Sequence, residues 1–155
     1  MPHDPEARLR ELGLELPAVP EPAGAYVPAT RTGPLIFTAG QLPFEAGKLS
    51  QTGKVGDAVS LEEAHRAARL CALNALAAAA VEAGGLNKIH RVVKVTGFVA
   101  SAPGFNLQPR VINGASELVG EVFGEAGLHA RSAVGVAELP LDAPVEVELV
   151  AEFAG

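Results

Sequence analysis

Tryptophan is absent from this sequence, cysteine, tyrosine and methionine occur once each, and aromatic residues make up only 5% of it. A core without large rings has to be built from alanine, valine and leucine, which suits thin, closely fitted layers. The single cysteine, Cys71, excludes an internal disulfide. Set among alanines, it reads as a small buried hydrophobe in preference to a reactive thiol. No run of about 18 apolar residues occurs, and the most apolar stretch, LCALNALAAAAV at residues 70–81, is too short to span a bilayer and contains Asn74. The opening MPHDPEARLR mixes charges and lacks an apolar core, so no secretory signal is expected and a soluble, cytosolic protein with no membrane partner is. Basic residues number 12 against 18 acidic ones, for a formal charge of −6, and they are scattered, which argues against a nucleic-acid partner. His3, His65, His90 and His129 show no ligand spacing with cysteine or carboxylates, so no metal and no cofactor is expected.

What is present fits one domain, since 155 residues typically bury about 70% of their unfolded surface. Residues 1–25 hold five of the 12 prolines and a short amphipathic piece, PEARLRELGLEL; they are expected to form an arm packed along a domain of residues 26–155. Two strand-like runs flank a turn at residues 31–34, and GKLSQTGKVG can carry a further edge strand. Ser60 with Glu63 makes a capping box, predicting a helix to Ala83 that Gly84 stops. That helix is apolar nearly all round, so it is covered on more than one side. Residues 88–101 read as a strand and residues 104–127 as a second helix.

Residues 129–153 read as a closing hairpin, two alternating runs joined at Pro140, Asp142 and Pro144. Strands outnumber helices and the last pair is antiparallel, which predicts an α+β fold with two helices on one face of a mixed sheet. In the last run Glu146, Glu148 and Glu152 share one face, and Val145, Val147, Leu149, Ala151 and Phe153 the other. The small residues Ala133, Gly135 and Ala137 leave room for another backbone, which points to an oligomer. In a simple hairpin register Glu146 would lie opposite a residue near Ala137, about 20 Å along the strands from Arg131. The two could then meet only across a subunit boundary.

The run ARSAVGVAELPLDAPVEVELVA, with AYV at Tyr26, FTAGQLP at residues 37–43, VVKVTGFVAS and Asn113 in the second helix, resembles the Rid (YjgF-type) family from residue 26 to the C-terminus. The resemblance implies a chorismate-mutase-like subunit, assembled as a homotrimer whose sheets form a barrel with ligand clefts between subunits. It also implies hydrolysis of 2-imino acids and their 2-enamino tautomers, which leak from pyridoxal-phosphate-dependent dehydratases acting on serine or threonine, to 2-oxo acids and ammonia. An N-terminal arm of this length suggests a distinct subgroup.

A planar substrate carboxylate suits a guanidinium fork. Arg131 matches the family's signature arginine; without the resemblance, a strand-end arginine paired with a surface glutamate has equal standing. Glu146 matches the family glutamate that acts on water, as a positioned carboxylate can, against the alternative of a solvated sheet face. Tyr26 walls the pocket or hydrogen-bonds the ligand through its hydroxyl, or else packs half-buried. The Ala133 carbonyl matches the position that helps hold the water in relatives, Gly40 with Gln41 matches the family's Gly-Gln pair, and Asn113 either supports the pocket or is a helix-surface amide. Phe98 is expected to pack. Ala39 and Ala133 stand where many relatives carry a hydroxyl and a cysteine, which removes polar side chains from the expected cleft. Two other readings are carried forward: a trimer that binds a small carboxylate without turning it over, and the endoribonuclease or translation inhibitor of older family labels, which the acidic balance disfavours.

Overall fold

A computed structural model describes residues 3–22 and 24–154; Met1, Pro2 and Ala23 of the expected arm, and Gly155, lie outside the described residues. The chain runs α1 (Pro5–Glu11), β1 (Ala29–Thr32), β2 (Leu35–Thr38), β3 (Phe44–Glu45), β4 (Lys48–Leu49), α2 (Leu61–Ala83), β5 (Ile89–Ala100), α3 (Gln108–Phe123), β6 (Ala130–Val136) and β7 (Val145–Phe153). Five strands form one mixed sheet in the order β1-β2-β7-β5-β6, and β3 with β4 forms a separate two-stranded ribbon. The expected α+β fold, with two long helices on one face of a mixed sheet, is therefore present.

Local chemistry explains the helix ends. The Ser60 hydroxyl accepts from the Glu63 N–H while the Glu63 carboxylate accepts from the Ser60 N–H, and at the far end Gly84 turns left-handed with φ 86°. Asp4 caps α1 by accepting from the Ala7 N–H, with Pro5 in the first turn, and Leu9 on that helix is buried in the core. Alanines Ala64, Ala68, Ala75 and Ala79 of α2 are fully buried. They let α3 approach so closely that a side chain on Gly114 would run into the His65 backbone carbonyl. The helices cover one sheet face through Val95, Val99, Val145, Val147 and Leu149, all buried. None of the helices described here is long and apolar enough to cross a membrane.

The closing hairpin is not formed. β6 pairs in parallel with β5, Arg131 beside Val95, and β7 pairs antiparallel with the other edge of β5, Glu146 beside Phe98 rather than Ala137. The reason is topological. β5, α3 and β6 form a strand–helix–strand unit that returns alongside its first strand. Residues 137–144 then only have to step over one strand, two sheet spacings or about 10 Å. The reversal at Pro140–Asp142 is real, with Leu141 and Asp142 both left-handed at φ 60° and 61°. The strand it leads to lies one place further across the sheet. The GKLSQTGKVG segment supplies β4 to the small ribbon, and Val55 bridges Ser101 beyond the end of β5.

Candidate functional site

Directly paired residues share a sheet face, so the register separates the two main candidates. Arg131 lies with Val95 on the helix side, whereas Glu146 lies with Phe98 on the opposite side. Two half-sites result.

The first surrounds Glu146. Gln41 and Val147 exchange backbone hydrogen bonds at 2.8 and 3.0 Å, which clamps the end of β2 to the start of β7. Gly40, just before that clamp, has no side chain, and the Glu146 carboxyl group lies across the space one would fill. Tyr26, Gly40, Gln41, Phe44, Leu141 and Glu146 line a cleft of about 520 Å³, together with Pro20 and Pro22 of the N-terminal segment. Tyr26 lines this cleft and is 55% exposed. Burial raises the Glu146 carboxyl group above its ordinary value, and the neighbouring charge of Glu148 adds to the effect. The Cys71 thiol behind the sheet is fully buried; burial, and then the charge of Glu146, pushes it well above its ordinary range, so it is an inert hydrophobe.

One support of this half-site was not singled out from sequence. Asn74, on α2 and 6% exposed, donates to the Leu42 carbonyl at 3.0 Å and the Phe44 carbonyl at 3.1 Å. It ties the cleft wall to the central helix. The available signal was a lone amide within the otherwise apolar stretch of residues 70–81.

The second half-site is built on β6 and α3. The Arg131 guanidinium donates to Asn113 Oδ1 at 2.7 Å and to Ser116 Oγ at 3.2 Å. Ser116 Oγ also meets His129 Nε2 at 2.9 Å, and His129 Nδ1 lies 2.6 Å from the Gly127 carbonyl oxygen. No described carboxylate comes within ion-pair distance of Arg131. Asn113 is thus not a free helix-surface amide. Ala133 shares the Arg131 face and packs partly against the core. The Val136 carbonyl accepts from Ser101 on the β5 side, and backbone groups alternate along a strand, so the Ala133 carbonyl faces outward from the edge of the sheet. Ser116 and His129 were missed; both follow once α3 is placed over β6. Among the described residues no group of three or more His, Cys, Asp or Glu side chains could hold a metal ion.

The model of the family described as "YjgF/chorismate mutase-like, putative endoribonuclease" matches residues 6–153. The chain belongs to the YjgF family. Over 95% of its length it is 44% identical to protein TCP17 of Trypanosoma cruzi, covering 92% of that protein. Over 85% it is 33% identical to a 2-iminobutanoate/2-iminopropanoate deaminase of Salmonella typhimurium, covering 90% of it. The crystal structure of a protein from Shewanella oneidensis described as a putative endoribonuclease superposes with a TM-score of 0.93 at 36% identity, covering 96% of this chain and 99% of that one. YjgF relatives thus carry both deaminase and endoribonuclease names.

Proposed function

We propose that this YjgF-family protein hydrolyses 2-imino acids and their 2-enamino tautomers to 2-oxo acids and ammonia, in clefts that a second copy of the chain completes within a homotrimer. The observation that carries this reading is the state of Arg131: a partly exposed guanidinium oriented by two neutral acceptors, with no described carboxylate to neutralise it. A strand-end arginine that only decorated the surface would need no such holder. Fixed this way, it presents donors to a substrate carboxylate.

Glu146 and Arg131 lie on opposite faces of one sheet, so a site using both takes one from each of two copies. The outer face, covered by none of the described helices, carries Phe37, Phe98, Val134 and Val150 among Lys94, Thr96 and Glu148 and supplies the contact surface for such an assembly. In the reaction, water oxygen bonds to C2 as Glu146 accepts the water proton. The C=N bond becomes a C–N bond, the nitrogen is protonated, and the C–N bond breaks as the carbonyl forms and ammonia leaves. A carboxyl group raised by burial is suited to both accepting and returning that proton. The outward Ala133 carbonyl holds the water, Tyr26 shapes the cleft, Gly40 makes room for Glu146 and Asn113 positions Arg131.

The test generates 2-imino acids in situ with an amino-acid oxidase and traps them with semicarbazide. The protein should slow semicarbazone formation; Arg131→Ala should abolish the effect with the oligomer intact, and undiminished activity in that variant would sink the reading. The alanines at positions 39 and 133, which leave few polar side chains in the cleft, favour a second reading as a carboxylate-binding trimer without turnover. It predicts ligand-induced thermal stabilisation without ammonia release, dependent on Arg131 but not on Glu146. The endoribonuclease reading requires RNA to approach a chain of charge −6 whose cleft holds the carboxylates Glu21 and Glu146; a steep salt dependence of RNA binding would revive it.

A further inference from the structure

We infer that His129 is a positioning residue for Arg131 that acts through Ser116: its ring fixes which way the Ser116 hydroxyl faces, and the hydroxyl in turn fixes the guanidinium that grips the substrate carboxylate. The inference rests on the imine-hydrolase reading and adds the residues that hold its carboxylate clamp.

The direction of each hydrogen bond follows from what the groups can do. A guanidinium only donates, so at 3.2 Å from Arg131 Nη1 the Ser116 oxygen is the acceptor. A backbone carbonyl only accepts, so at 2.6 Å from the Gly127 oxygen it is His129 Nδ1 that carries a proton. A neutral imidazole protonated there has Nε2 free as an acceptor, and Nε2 lies 2.9 Å from Ser116 Oγ, so the hydroxyl proton points at the ring. An imidazolium would leave the Ser116 oxygen accepting twice and its own proton without a described partner. Only the neutral ring lets every bond from Arg131 through Ser116 and His129 to Gly127 run in one direction, each polarising the next.

The far end of this chain is a fixed post. Gly127 is buried and lies so close to α3 that a side chain on it would run into the Val119 carbonyl. At the near end, Asn113 and Ser116 stand three residues apart on one face of α3, and both accept from Arg131 Nη1. Both Nη1 protons are thereby used, which leaves Nη2 and Nε as the two-pronged fork for a carboxylate. Both ring nitrogens and the hydroxyl are partnered within one chain, so the arrangement is complete before a second copy closes the cleft. A fork set in advance gives up less side-chain freedom when substrate binds.

The experiment measures KM and kcat by the trapping assay, with the alanine-derived imine, for wild type, Ser116→Ala, His129→Asn, His129→Gln and the Ser116→Ala/His129→Asn double variant. Asparagine keeps an amide donor for Gly127 and loses the reach to Ser116, whereas glutamine places an amide oxygen where Nε2 accepts. Ser116→Ala and His129→Asn should each raise KM about three- to tenfold, the weight of one hydrogen bond, with kcat within about twofold, because the carboxylate is gripped alike in ground and transition states. His129→Gln should stay within about twofold of the wild-type KM, and the double variant should be no worse than Ser116→Ala alone. Loss of folded protein would lower kcat and leave KM, so it does not imitate this pattern. An unchanged KM in His129→Asn, additive effects in the double variant, or a glutamine variant as weak as the asparagine one would overturn the inference and leave imine hydrolysis standing. If no imine is hydrolysed, the reading itself falls and the ranking is sought in pyruvate dissociation constants: the same order supports the positioning role, and equal constants or no binding overturn it. Ring nitrogen NMR of the wild type reads the tautomer independently of activity; a proton on Nδ1 of the neutral His129 ring supports the chain of bonds, and one on Nε2 overturns it.

Discussion

Replacing Asn74 by leucine tests whether the cleft wall is held from the central helix. Leucine keeps the branched heavy-atom skeleton of asparagine, with methyl groups in place of the amide O and NH2, so the change leaves no cavity. It removes two hydrogen bonds, to the carbonyls of Leu42 and Phe44. Each such bond is worth about 1 kcal/mol net, and a carbonyl left partly buried without a partner costs at least that much. Leucine regains a few tenths of a kcal/mol from its better helix propensity. The net loss is about 2 kcal/mol, which in a chain of this size lowers Tm by about 4–8 °C. Asn74→Asp should be worse at neutral pH, since it aims a buried anion at two carbonyl oxygens. The assay is thermal unfolding of the three proteins at one protein concentration, so that assembly does not confound the comparison, with hydrogen exchange read at residues 42–45. Wild type, leucine and aspartate variants should rank in that order, with faster exchange in the wall of both variants. A leucine variant as stable as wild type would refute the tie between α2 and the cleft.

Two further predictions concern Glu146. Its folded value is raised by burial and then by Glu148, so its contribution to stability is present below the ordinary value of 4.5 and lost as pH rises through the higher folded value. Glu146→Gln removes that titration: its Tm should gain on wild type as pH rises through this window while imine hydrolysis disappears, and a Tm difference independent of pH would contradict the burial argument. Gly40→Ala places a methyl group where the Glu146 carboxyl group lies, on backbone that alanine tolerates. The flexible end of the glutamate can swing aside, so Tm should change by no more than about 2–4 °C, whereas displacement of the carboxylate by about 1 Å should slow hydrolysis by up to about 100-fold. Wild-type rates in this variant would show that the Glu146 position observed here is not the working one.

Elements bounded by local chemistry were legible in the sequence. Ser60, Glu63 and Gly84 mark both ends of α2 because capping is decided within four residues. The alternation in β7 was legible for the same reason, since facing is set by a period of two. The neighbour of β7 was not. Turn residues at Pro140–Asp142 announce that the chain reverses, yet the same reversal serves a hairpin or a step across an intervening strand. Only the preceding strand–helix–strand unit, which claims one edge of β5 for β6, distinguishes them. That signal was in the sequence as residues 88–101, 104–127 and 129–136, and reading it as a crossover would have put β5 between the last two strands.

The same misplacement bears on the site. In a hairpin, Arg131 and Glu146 are kept apart by distance along one ribbon; in the observed sheet they are kept apart by its two faces, and the second separation is the stronger. Lengthening or slipping a hairpin could close a gap along it, but no slide of β7 that preserves its buried valines brings Glu146 to the helix side, because a one-residue slip would expose Val145, Val147 and Leu149 together. The face is therefore fixed by the energy of the whole core. Arg131 is fixed on the other side by Asn113 and Ser116, which belong to a helix packed on that core. On the proposed reading, chemistry that uses both groups takes them from two chains, because the sheet itself stands between Arg131 and Glu146 within one chain.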